Sequence, residues 1–418
     1  MLEELTAREF DEFSRHHPLT TYHQTSAWAE VKSYTGWEHR YWGMRKEGKL
    51  VAATLVLRKT AAKVFKLYYA PRGFLIDFED KELLKEFSDA VVKKVKEEGG
   101  FVLRVDPYID TRLLDEDANP VPGGYDHSGL IDTMKNLGYT YRLDEKGEPL
   151  TTIVHTIYVL DIKDKTEEEI LASFRSKTRQ IIHNYPKNGV AVRKLPREEL
   201  PKFKDLMEST SERKGFVDRS LGYYETIYDA FDKENAVGFM AAEIDINQTI
   251  DSVKKRLEES RVVYDRLTER KNKNPEKFKA QGQLDETIAR LEAGNRKLEE
   301  YEALKAKYGD KALLSVNMDF FWGDREVVAV FGGNDPELFG LNGQYALYWE
   351  MIKEAKRRGC ERFNFMGIPD DITENDPMWG VYQTKKAYHG RVEKLIGEFD
   401  YVIRPMVYKL YKAAVKAL

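Results

Sequence analysis

Between two strand-like runs, Gly238–Ile244 and Leu313–Phe321, the chain changes character and becomes rich in Glu, Lys, Arg and Gln, with almost no Gly or Pro. This segment constrains the fold more than any other, because such a composition cannot supply a globular core. Ile250, Val253, Leu257, Ser260, Tyr264 and Leu267 recur at alternating three- and four-residue intervals, and Leu284, Ile288, Leu291, Asn295 and Leu298 do so on the return. That is the spacing of a helical seam. The intervening KNKNPEKFKAQGQ, 271–283, contains Pro275 and Gly282 and breaks it. The pattern predicts an antiparallel helical hairpin over 245–307, protruding from an α/β chain. Two helices alone are too thin to enclose a pocket, so their charged faces meet solvent, a second copy in a homodimer, or a large partner. Lys254, Lys255, Arg256, Arg266, Arg270, Lys271 and Lys273 suit phosphates, but Glu258, Glu259, Glu292, Glu299 and Glu300 show that the arm is no simple polycation.

Outside the arm, the strand-like runs Leu50–Leu57, Val64–Tyr69 and Phe101–Val105 alternate with helical patterns such as Lys81–Glu97, an α/β grammar. At 418 residues the chain is long enough for two lobes. The first is expected to end near 150. The second opens on the strand-like Ile153–Leu160, with helices near Thr166–Tyr185 and Leu200–Ser211. One internal repeat supports a duplication: VVKKVKEEGGFVLRVDP, 91–107, runs parallel to MIKEAKRRGCERFNFMG, 351–367. In both, an amphipathic helix stops at Gly and a buried strand follows.

A formal charge of -4 argues against a protein that coats nucleic acid through a general basic field, so any RNA contact must be local. The single cysteine, Cys360, excludes an intrachain disulfide and any multi-thiolate metal site, which fits a reducing cytoplasm. The polar start MLEELTAREFDEF lacks signal-peptide character, and no apolar run reaches the roughly 18 residues that span a bilayer. A cytoplasmic protein is expected. RPMVYKLYKAAVKAL, from 404, is a basic amphipathic stretch without an acid, fit either to pack as a terminal helix or to lie against anionic lipid at the inner face of the membrane.

Five segments, in order, resemble the FemABX family of peptidoglycan-bridge ligases. YHQTSAWAEVKSYTGWE carries Gln24, Trp28 and Lys32; FVLRVDPYI ends a buried strand in Asp106 and Pro107. FRSKTRQIIHNYPKNGVAVRKL and MESTSERKGFVDRSLGYYETIYDAF follow, and then GVYQTKKAYHGRVEKLIGEFDYVI. In the last, Thr384 replaces the family's Phe before Lys385, and Tyr388-His389 replaces Phe-Gly, which puts the local pocket shape in question. The resemblance implies two Gcn5-related acyltransferase-like lobes, 1–150 plus 380–418 and 151–244 plus 308–379, with the tail returning to complete the first. It also implies that the hairpin is similar to the arm of seryl-tRNA synthetase. The implied reaction moves Gly, Ala or Ser from aminoacyl-tRNA to the stem-peptide amine of lipid II or UDP-MurNAc-pentapeptide, with no cofactor and no metal.

An aminoacyl ester is already activated, so the absence of a GxxxxGK[ST] loop is expected. The reaction needs a deprotonated amine, a stabilised oxyanion and two clamped substrates. Asp106, at the end of an apolar strand, is the candidate base, although an Asp before Pro107 is also an ordinary turn former. Lys385 is the candidate oxyanion cation, with Lys386, Tyr382 and Tyr388 beside it. By resemblance Lys32 and Arg213 clamp the precursor's diphosphate, while Trp28, Phe216 and Tyr224 offer aromatic faces to a sugar or base. Arg175, Lys177 and Arg179 either receive tRNA phosphates or decorate a surface, Arg175 and Arg179 lying on one helical face.

Two rival classes compete with this reading. A CoA-dependent Gcn5-type N-acyltransferase would need an Arg/Gln-x-x-Gly-x-Gly/Ala loop, and KRRGCERF lacks the second small residue. A non-catalytic RNA-binding protein built on the arm conflicts with the net negative charge. Neither HExxH nor GxSxG occurs.

Overall fold

The computed structural model describes residues 1–61, 65–142 and 154–416. The expected lobe boundary at 150 and the residues Val64, Ile153 and Leu418 lie outside them. The first lobe contains β1 (Leu2–Glu4), α1 (Ala7–His16), α2 (Ser26–Tyr34), β2 (Glu38–Lys46), β3 (Lys49–Ala61) and β4 (Phe65–Ala70). It continues with α3 (Lys81–Glu97), β5 (Gly100–Val105), α4 (Gly129–Asn136) and β6 (Thr140–Tyr141). The second lobe runs through β7 (Thr156–Asp161), α5 (Glu167–Ser173), α6 (Ser176–Asn184), β8 (Val190–Lys194), α7 (Leu200–Lys214), α8 (Leu221–Phe231) and β9 (Val237–Asp245). The arm, α9 (Ile246–Lys273) and α10 (Gln281–Tyr308), interrupts it before β10 (Lys311–Trp322), β11 (Glu326–Asn334), α11 (Gly343–Arg357), β12 (Arg362–Gly367), α12 (Trp379–Lys386) and β13 (Arg391–Lys394). β14 (Phe399–Val402) and α13 (Pro405–Lys416) close the chain.

These strands form two seven-stranded sheets, ordered β1-β2-β3-β4-β5-β14-β6 and β13-β7-β12-β11-β10-β9-β8. Each contains one parallel pair, β4 with β5 and β11 with β12, and each pair is joined by the helix of the sequence repeat. Gly99 and Gly359 end those helices at φ 82° and 75°, a left-handed turn that favours a residue without Cβ. The tail does not return as one piece. Arg391–Lys394 pairs with β7 in the second sheet, and only Phe399–Val402 enters the first, between β5 and β6. A division at 380 therefore falls too early. β14 is tied to β5 by a buried two-pronged ion pair, Arg104 Nε and Nη2 to Asp400 at 2.8 and 2.9 Å.

The expected helix over 166–185 is broken. Phe174 turns into the core beside Trp349 and Tyr388, and the Arg175 amide leaves the helical ladder to donate to the Ala387 carbonyl. The arm's outgoing seam is as spaced, with Ile250, Val253 and Leu267 buried, but the return seam passes through Thr287, Gly294 and Tyr301. Ile288 and Asn295 face outward. Thr287 is admitted because its hydroxyl bonds the Gln283 carbonyl at 2.7 Å; Gly294 is needed because a Cβ there would lie 2.6 Å from Leu257. Ile250, Val253 and Tyr301 join the second lobe's core, which anchors the arm's base.

A shared apolar core joins the lobes, with Tyr22 and Trp28 meeting Phe320 and with Phe10 and Leu55 in the same cluster as Phe203 and Trp322. α13 packs Val407, Tyr408 and Tyr411 against this core and leaves Met406 and Leu410 exposed. No helix of the described residues is long and apolar enough to cross a membrane.

Candidate functional site

Asp106 follows β5 and is buried, two residues before Tyr108, whose hydroxyl meets Glu326 and Arg362 of the second lobe. Its Oδ1 accepts the Arg72 amide at 2.6 Å, its Oδ2 accepts the Tyr69 hydroxyl at 3.0 Å, and the Arg72 guanidinium lies 3.7 Å away. Burial pushes its carboxyl up to about 7, against the pull of Arg72. Arg72 itself sits at φ 54°, and its Nη2 donates to the Val154 carbonyl at 2.6 Å. Gln24 explains how that strained loop is held: its amide donates to the Pro71 carbonyl at 2.7 Å and to Leu55 O, and accepts from Leu55 N. The family-like Gln is thus a clamp behind the carboxylate, not a ligand.

The end of β12, equivalent to that of β5 in the sequence repeat, carries Gly367. Its carbonyl accepts from Lys385 Nζ at 2.6 Å. Lys385 is buried on α12 and has no ion pair among the described residues; burial alone pulls its amine down to about 7. Val154 touches both sides, since its carbonyl meets Arg72 and its side chain lies 2.9 Å from where a Gly367 Cβ would project. Arg72, Val154 and Gly367 therefore connect the carboxyl to the amine.

A cationic patch lies on the same side. Lys32 Nζ sits 4.8 Å over the Trp28 ring and forms no hydrogen bond or ion pair among the described residues. Burial, then Arg219 and Lys59, lowers it to about 8. Lys59 in turn lies 5.4 Å over Trp37, whose ring is 6.5 Å from that of Tyr69, the partner of Asp106. Lysines from the first lobe and Arg219 from the second, with no acid compensating Lys32, suit an anionic group.

Other expected residues are placed elsewhere. Tyr224 is a core residue, donating to Asp218 at 2.6 Å and packed edge-on to Phe203, so it is closed to a sugar. Tyr382 is likewise buried, with its hydroxyl on the Glu116 carbonyl at 2.8 Å. Lys385 and Lys386 do not act as a pair, because consecutive helical residues point roughly 100° apart; Lys386 is held by Asp117. Arg213 and Phe216 are exposed at and just beyond the end of α7. Arg175 lies half-buried just before α6, while Lys177 and Arg179 are exposed, Arg179 donating to the Phe174 carbonyl. Arg72 and Arg219 escaped the sequence reading: neither belongs to a periodic or spaced pattern, and each is defined by partners distant along the chain.

The FemAB family model matches residues 5–416. The aminoacyltransferase FemA of Staphylococcus aureus strain MRSA252 is 33% identical over 417 residues, 99% of this chain and 97% of that protein. Its counterpart from strain bovine RF122 / ET3-1 is 32% identical over the same shares. The crystal structure of FemX, at 24% identity, superposes with a TM-score of 0.82 over 99% of this chain and 100% of that one, and so shares the fold. With the match spanning both lobes and the arm, the chain belongs to the FemAB family.

Proposed function

We propose that this chain, an aminoacyltransferase, moves glycine, alanine or serine from aminoacyl-tRNA to the stem-peptide amine of a peptidoglycan precursor, either lipid II or UDP-MurNAc-pentapeptide. The observation that carries the reading is Asp106, a buried carboxyl poised near neutrality at the junction of the lobes. An acceptor amine arrives as an ammonium, and a base matched to neutral pH removes its proton most effectively. The freed amine attacks the ester carbonyl, a C–N bond forms, the C–O bond to the ribose breaks, and the proton passes to the leaving hydroxyl. Lys385, as ammonium, stabilises the oxyanion; Lys32, Lys59 and Arg219 hold the precursor's diphosphate. The named relatives, aminoacyltransferases FemA, support the same reaction class. Incubation with glycyl-, alanyl- and seryl-tRNA and each acceptor, followed by the acceptor's mass, tests this. No aminoacyl adduct with any pair would sink it.

The pH profile follows from the two tuned groups. Asp106 must lose its proton and Lys385 must keep its own, and both titrate near 7. A narrow bell in kcat/KM is expected, centred near pH 7, and Lys385→Arg should move only the alkaline limb upward. A flat profile between about pH 6 and 8 would remove both assignments.

The arm supports the tRNA contact. Lys255, Arg266, Arg270 and Lys271 are exposed or nearly so, with no ion pair among the described residues. Removing Glu258–Ala293, which spares the core residues Val253 and Tyr301, and closing the gap with a short linker should weaken tRNA binding roughly tenfold or more, with a shallower salt dependence and unchanged acceptor binding. Unchanged tRNA affinity would refute the contact.

A further inference from the structure

β11 and β12 pair only from Glu326–Val328 to Arg362–Asn364 and then part. The cause is local: Phe331 and Ala329 oppose the consecutive residues Met318 and Asp319, so Val330 is an extra residue that bends β11 away. In this gap, in the middle of a seven-stranded sheet, Val330, Phe331, Met366 and Gly367 are only half-buried and Gly332 is exposed. A Cβ on Gly332 would lie 2.8 Å from Asn317 Oδ1 and 3.7 Å from Gln344 Oε1, so the gap leads directly to those amides. Asn317 donates its Nδ2 to Asp319 Oδ1 at 2.9 Å. Asp319 is 0% exposed, and its Oδ2 has no partner among the described residues; nor do Gln344 Nε2 and the buried Tyr388 hydroxyl. The rings of Tyr345 and Tyr348 stand 6.1 and 5.8 Å from that of Tyr388, and Tyr348 lies within the field of Asp319.

A buried carboxyl without a cation is costly, and a native structure rarely leaves such an atom unused. The unsatisfied groups here specify a complement. Asp319 Oδ2 and Asn317 Oδ1 accept, the tyrosine faces attract positive charge, and Gln344 Nε2 and the Tyr388 hydroxyl are free to donate. A primary ammonium three bonds from a carbonyl oxygen, the arrangement of an α-amino acyl group, meets these acceptors, rings and donors. We propose that this site binds the α-amino acyl group of the donor, with Asp319 as counter-ion to its α-ammonium and Gln344 donating to its carbonyl oxygen. The inference rests on the proposed aminoacyl transfer and adds the residue that separates an aminoacyl from a plain acyl donor. Burial holds the Asp319 carboxyl well above the ordinary range, and an ammonium bound beside it favours the ionised form, so binding is coupled to proton release.

Glycinamide and N-acetylglycinamide, which differ in the charge on nitrogen, are the probes, titrated calorimetrically into the whole protein. Wild type should prefer glycinamide by about tenfold or more and release protons on binding, read from the dependence on buffer ionisation. Asp319→Asn, isosteric and uncharged, should lose the preference and the proton release. Equal binding of both probes, or no proton release by wild type, would overturn the proposal, and the second reading does not depend on whether the variant folds. The assay needs no turnover, so Asp319-dependent amine binding without any transfer would sink the proposed reaction and leave this site standing. Transfer by Asp319→Asn with an unchanged donor KM would do the reverse.

Discussion

Lys385→Met is expected to stabilise the protein and to remove most of its turnover. The Lys385 amine is buried, with the Gly367 carbonyl at 2.6 Å as its hydrogen-bond partner and no carboxylate near it. Burial lowers it from 10.5 to about 7. The sign follows from linkage: below about pH 7 the folded chain holds an ammonium that water would hold better, and the penalty fades as pH rises toward the unfolded value. A gap of that size corresponds to about 5 kcal/mol at most. Losing the bond to Gly367 returns roughly 1 kcal/mol of this, so a gain of about 1–3 kcal/mol is expected in denaturant unfolding below pH 7. It should vanish near pH 10. Turnover should fall roughly 10²–10³-fold, the usual effect of deleting an oxyanion donor, with donor KM changing far less. A variant that is less stable at neutral pH would show that no charge is being held against its preference. Stability surrendered at one side chain in this way is characteristic of groups retained for chemistry.

The same residue shows what could be read from sequence and what could not. A Lys-Lys pair on a helix is visible in the chain, but the partition into one buried amine and one bound by Asp117 depends on where α12 lands against β12. The arm was legible almost to its ends because its composition and spacing are local properties. Its return seam was misread by one position at Thr287 and Gly294, where a back-bonded hydroxyl and the bulk of an opposing Leu257 decide the packing. The two lobes were legible through the repeated helix–Gly–strand unit. The split of the tail between sheets was not, because β13 and β14 are short and neither carries a pattern that names its neighbour. Tyr224 and Tyr382 were misplaced because tyrosine serves cores and ligand surfaces alike. Asp319 lay hidden in what reads as an apolar strand; its unmet hydrogen bonding appears only once β10, β11 and α11 are assembled.

Breaking the charge network under Tyr108 is the other large effect. Arg362 lies 2.8 Å from Glu326 and 2.6 Å from Glu393, all three buried, and Glu326 also accepts the Tyr108 hydroxyl at 2.6 Å. Tyr108 comes from the first lobe, two residues beyond Asp106, so this network fixes the base relative to the second lobe. Arg362→Met leaves two carboxylates buried without that partner, which should cost about 3–5 kcal/mol. Burial would raise Glu326, but Arg362 and Arg325 hold it below the ordinary carboxylate range, so its contribution is present above the unfolded value and lost as pH falls. Without Arg362 the balance at Glu326 moves toward burial, which raises it, with Arg325 and Tyr108 left to oppose. The deficit should therefore be largest above pH 7 and shrink toward about pH 5 as Glu326 takes up a proton. Urea unfolding at the two pH values checks this, and an equal deficit at both would place the cost in packing. Adding Glu326→Leu should recover part of the stability, because it removes one uncompensated charge. It cannot restore the bonds to Glu326 and Arg362, and leaves the Tyr108 hydroxyl with the Asn364 amide, which donates to it at 2.9 Å. The double variant should then fold yet turn over more slowly at little-changed KM, because the loop bearing Asp106 is held less firmly on the second lobe.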